Sequence, residues 1–82
     1  MFTEILEELK KTSLVYSVIL SEAEAVFHTD EILLFYPEDS YAFSRAKENA
    51  FIDSVSLADL HLFGKTRKVT ICPIGYERRK DH

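Results

Sequence analysis

Apolar positions recur every three to four residues at the start of this chain, alternate in its second quarter, and then regain helical spacing before a closing apolar run. Phe2, Ile5, Leu6 and Leu9 fall at i, i+3, i+4 and i+7, with Glu4, Glu7, Glu8, Lys10 and Lys11 between them. That stripe predicts an amphipathic helix over about Thr3–Lys11, its acids early and its lysines late, as the helix dipole favours. Thr3 is one cap candidate, and Phe2 is an alternative first residue. Thr12 or Ser13 then suits the cap of a second, shorter helix carrying Leu14, Val15, Val18 and Ile19. The run LVYSVIL is also rich in β-branched residues and reads as a strand. The Thr12-Ser13 cap and the helix-forming SEAEA that follows favour the helix.

Alternation begins near Ala23. Ala23, Ala25 and Phe27 face one side, and Glu22, Glu24, Val26 and His28 the other, which predicts a strand at Ala25–His28. Thr29, Asp30 and Glu31 make a turn without glycine or asparagine, so a loop looser than a type I′ hairpin is expected. Ile32–Tyr36, ILLFY, is apolar on both faces and ends at Pro37, which cannot donate to a ladder. Asp39 or Ser40 caps the next helical region, which Asn49 recaps. In its second part Phe51, Val55, Ala58 and Leu62 keep helical spacing, with Ile52 beside them. Gly64 suits the left-handed position just past a helix end. A basic connector, Lys65–Lys68, leads into a last strand, Arg67–Cys72. The order helix, helix, strand, strand, helix(-helix), strand predicts an α+β domain whose three-stranded sheet carries helices on one face. Ile5, Leu6, Leu9, Val18, Ile19, Leu34, Ile52, Val55, Leu62, Val69 and Ile71 are the expected core. There is no repeat, low-complexity segment or linker, so residues 1–74 form one domain, and the polar 75–82, GYERRKDH, a frayed tail.

Composition narrows the functional classes. The chain has 82 residues, 46% of them hydrophobic and 12% aromatic, which is enough for one small core rather than a disordered segment. Fourteen acidic against ten basic residues leave a net charge of −4, which disfavours non-specific attraction to phosphate backbones. The single cysteine, Cys72, rules out an internal disulfide and a multi-cysteine zinc site, and in VTICPI it reads as a strand residue. Neither a signal-peptide pattern nor an apolar run of about 18 residues is visible, so a cytoplasmic setting with no membrane contact is expected.

Catalytic patterns are missing. Gly64 and Gly75 belong to no phosphate-cradling loop, so no cofactor is expected. His28, His61 and His82 are far apart in sequence and lack ligand-spaced neighbours, so no metal is expected. Ser44 stands in no nucleophile elbow. Glu38-Asp39 precedes a helix start, where acids serve the dipole rather than acid–base chemistry. The chain reads as a non-enzyme. Two surfaces remain. Lys65, Arg67 and Lys68, with Arg78, Arg79 and Lys80 in the tail, form a basic cluster that reads as a solvated connector or as an acidic-partner or nucleic-acid patch. No GXXG loop, helix-turn-helix or aromatic interleaving accompanies it. Tyr16, Phe35, Tyr36, Tyr41 and Phe43 form an aromatic group too large for one sheet face to bury. Tyr36, Tyr41 and Phe43, around Pro37, are the candidate partner-binding residues.

FTEILEELKK followed by a second short helix, then ILLFYPEDSYAFSRAKEN, then LFGKTRKVTI, resembles a small domain of two bacterial replication families. These are the C-terminal part of the tau subunit of DNA polymerase III and the N-terminal domain of the chromosomal replication initiator. Phe2 stands where these families often carry tryptophan. Phe35 and Pro37 match their apolar-then-proline strand end, and Gly64 their glycine before the last strand. The resemblance spans residues 2 to 72. It implies a KH-like α+β interaction module without chemistry of its own. In the tau family such a domain links the clamp loader to the polymerase catalytic subunit; in the initiator it mediates self-association and helicase-loader contacts. The acidic balance favours the tau-like protein–protein role over a KH-like nucleic-acid-binding role for Lys65, Arg67 and Lys68.

Overall fold

The computed structural model describes residues 1–74. The expected frayed tail, and with it Arg78, Arg79, Lys80 and His82, lies outside the described residues. Seven elements follow in the order α1 (Phe2–Lys10), α2 (Leu14–Ser21), β1 (Glu24–Phe27), β2 (Glu31–Tyr36), α3 (Tyr41–Ala46), α4 (Asn49–Phe63) and β3 (Lys68–Pro73). The fold is α+β, in the expected order of helices and strands.

Local chemistry sets the boundaries. Ser13, in extended conformation, accepts a hydrogen bond from the Tyr16 amide at 3.1 Å, and this cap starts α2 as a helix rather than a strand. Ser40 does the same for α3 through the Phe43 amide, also at 3.1 Å. α4 begins without a side-chain cap and ends on Gly64, whose φ of 78° lets its amide reach the Leu60 carbonyl at 2.9 Å.

The sheet is mixed, in the order β1-β2-β3. β1 runs antiparallel to β2, with Ala25 opposite Leu34 and Phe27 opposite Ile32. β3 runs parallel to β2, with Val69 beside Ile32 and Ile71 beside Leu34. Central β2 alternates between half-buried and buried residues, so Ile32, Leu34 and Tyr36 lie under the helices. Leu33 and Phe35 lie on the opposite, more open face with Val26. The core joins these strand residues to Ile5 and Leu9 of α1, Ile19 and Leu20 of α2, Ala42 and Ala46 of α3, and Phe51, Val55 and Ala58 of α4. The Tyr16 ring meets Phe51 edge-on, with centroids 5.7 Å apart.

Two expected core residues are corrected. Val18 is 52% exposed, because α2 turns Ser17, Ile19 and Leu20 inward instead. This helix is apolar on nearly every side, so periodicity alone does not choose its buried face. Leu62 is exposed because α4 buries Asp59, not Leu62, at the inner end of its stripe. Leu6, Ile52 and Ile71 are half-buried and pack against the core rather than within it.

Phe51→Ala should therefore cost about 3–5 kcal/mol in urea unfolding, whereas Val18→Ala should stay within about 0.5 kcal/mol.

Candidate functional site

The structure separates the three candidate aromatics. Tyr36 is completely buried, and its hydroxyl donates to the Ile19 carbonyl at 2.8 Å. It ties the end of β2 to α2 and is a core residue, which corrects its assignment to an exposed partner-binding patch. The cause is the strand period: Tyr36 shares the inward face with Ile32 and Leu34. Burial, helped by the nearby Glu22 carboxylate, pushes its phenol well above the usual value for tyrosine. Phe43 is half-buried against the core, with the Lys47 ammonium 4.5 Å from its ring centroid. Tyr41, in contrast, is 72% exposed at the start of α3. Its hydroxyl accepts from Arg45 Nη1 at 2.7 Å, and the same guanidinium lies 5.7 Å from its ring centroid.

Tyr41 stands beside residues the sequence did not put forward as a site. Leu14, Val15 and Val18 of α2 are all exposed, and with Tyr41 and Ala42 of α3 they line a groove of about 300 Å³. Glu22, the residue after α2, closes one end. Three large exposed aliphatics in two helical turns, joined by an exposed tyrosine, make an uncovered apolar surface. The signal was available in LVYSVIL, which carries more apolar residues than one buried helix face accepts.

The basic cluster is broken up. Lys65 and Lys68 are exposed, but Arg67 is only 5% exposed. Its Nη2 donates to Asp59 Oδ1 at 2.7 Å, its Nε and its own amide to Asp59 Oδ2 at 3.1 Å, and its Nη1 to the His28 carbonyl at 3.3 Å. Phe27 and Phe63 each place a ring centroid 5.5 Å from the guanidinium. Arg67 is thus a structural cation, which corrects its place in a basic surface patch. A charged residue on the buried stripe of α4, eight positions before an arginine, was the missed signal.

Among the described residues, no group of three or more His, Cys, Asp or Glu side chains converges as a metal site requires. His61 Nδ1 lies 3.3 Å from Glu8 Oε2. Lys11, and then His61, hold the Glu8 carboxyl below the usual glutamate value. No helix among the described residues is long and apolar enough to cross a membrane. No protein-family model matches the sequence, and no curated protein or solved structure is significantly similar to it.

The raised phenol value makes Tyr36 a source of alkaline instability. Its neutral form is favoured in the fold, so its contribution is fully present below the unfolded value of about 10 and is lost as pH rises above it. Stability measured by urea unfolding should fall above that pH. Tyr36→Phe should flatten the alkaline decline while costing about 1 kcal/mol at neutral pH, for the lost hydrogen bond.

Proposed function

We propose that this chain is a non-enzymatic docking module of the bacterial replication machinery, similar in role to the tau domain that joins clamp loader to polymerase catalytic subunit. It works in the cytoplasm and uses no cofactor. The observation that carries the docking role is the uncovered apolar surface of α2 and α3, where Leu14, Val15, Val18 and Tyr41 stand together outside the core. Exposing three large aliphatics brings no gain in folding, since burying each would contribute about 1.5–3 kcal/mol. A partner that covers them supplies the missing burial. The exposed tyrosine beside them is of the residue type that dominates interface energetics. The replication setting rests on the sequence resemblance across residues 2 to 72. The KH-like order of elements is compatible with it. The burial of Arg67 removes the central member of the basic triplet and so favours protein over nucleic acid as the partner.

Calorimetric titration against a polymerase catalytic subunit tests the reading. Tyr41→Ala should weaken binding by about 2 kcal/mol, with an unchanged circular-dichroism melt. Replacing Lys65 and Lys68 together should alter mainly association rate and salt response. If Tyr41→Ala binds normally and only the lysine variant fails, contact through charge replaces docking through the apolar surface.

A further inference from the structure

We infer that the α2–α3 groove takes a helical segment of its partner, one that presents apolar side chains about one turn apart followed by a lysine or arginine set against Glu22. This inference rests on the docking role proposed above and adds the chemistry of the occupant.

Shape is the first argument. α2 is eight residues long, about 12 Å, and the groove beside it holds a few side chains rather than an extended sheet edge. Apolar side chains at i, i+3 or i+4, and i+7 of an incoming helix cover that length.

Charge is the second argument and selects among helices. Glu22 is the one charged residue lining the groove. Among the described residues it makes no ion pair, and its carboxylate accepts no hydrogen bond from a side chain. It also caps the C-terminus of α2, the negative end of the helix dipole, and the last turn of α2 holds no basic residue. Carboxylate and dipole end therefore add at the same place. An apolar partner lying over this end would strip water from the Glu22 carboxylate, and an acidic one would add repulsion. A cation on the partner offsets both, and the net charge of −4 draws such a segment in at long range. A second copy docking α2 on α2 brings no cation of that helix to Glu22, because the sequence LVYSVILS contains no basic residue.

The test uses a fluorescein-labelled peptide of about 16 residues, long enough to form a helix, with leucines at i, i+3, i+4 and i+7 and a lysine one turn beyond. Companion peptides carry glutamine in place of that lysine, or the same residues in scrambled order. Anisotropy titrations with the full chain should show the lysine peptide binding about threefold tighter than the glutamine peptide, and the scrambled one about tenfold weaker. Glu22→Gln should erase the lysine preference, and Val18→Asp should abolish binding while the chain still melts cooperatively, a few degrees lower at most for the added repulsion with Glu22. Equal binding of scrambled and ordered peptides, or a lysine preference that persists in Glu22→Gln, overturns the inference. So does a chain that sediments as a dimer and becomes monomeric on Val18→Asp, which would put a second copy in the groove. Binding of the polymerase subunit with no binding of any peptide overturns this inference but leaves the docking role standing. Selective peptide binding without polymerase binding supports it and removes the replication setting instead.

Discussion

A buried carboxylate and a buried guanidinium hold this small domain closed. Asp59 is fully buried and Arg67 nearly so, and taking either into the interior alone would cost several kcal/mol. Together they meet in a two-pronged contact whose remaining donors reach the His28 carbonyl, with two phenylalanine rings alongside. One residue further on, the Lys68 amide bonds the Asp30 carbonyl, and β3 begins. A slip of one residue in a strand would turn Val69 and Ile71 to the opposite face. The Asp59–Arg67 contact ends the connector at a defined point and so resists that slip. It fastens the C-terminal half of α4, the end of β1 and the start of β3 to one another. Gly64 makes the contact reachable, because its left-handed backbone turns the chain back within three residues of Arg67.

Tyr36 does related work at the other end of β2. Its hydroxyl satisfies a carbonyl of α2, and its ring fills the space between that helix and the sheet. The fold thus consumes two of the side chains that, from sequence, suited binding. What it leaves outside is aliphatic. α2 is apolar around most of its circumference but packs through only one side, so Leu14, Val15 and Val18 remain next to Tyr41. The surface offered to a partner follows from how the core was filled.

Element order was legible, and so were the serine caps, each as one of two neighbouring candidates, because these rest on local periodicity or on one hydroxyl at a helix start. Gly64 was legible for the same reason. The order of strands in the sheet was not, since it depends on contacts distant in sequence. The inward face of α2 was not, since a helix with apolar residues on all sides carries no directional signal. Nor was the role of Arg67. A run of Lys65, Thr66, Arg67 and Lys68 reads as solvated by composition, and only the burial of Asp59 eight residues earlier distinguishes the third residue from its neighbours. Tyr36 was misplaced for a different reason. A surplus of aromatic residues says nothing of direction, whereas strand alternation assigns Tyr36 to the face of Ile32 and Leu34. Tyr41 was placed correctly in space, while its aliphatic neighbours across the groove went unrecognised.

That the Asp59–Arg67 pair, rather than generic apolar burial, closes the α4–β3 junction is most directly tested by a double-mutant cycle measured by urea unfolding. Asp59→Leu and Arg67→Met should each cost about 3–5 kcal/mol, because each strands the opposite charge in the interior. The double variant should cost clearly less than the sum of the two, with a coupling of about 2 kcal/mol or more. Two single variants within about 1 kcal/mol of the parent, with additive effects, would contradict the account.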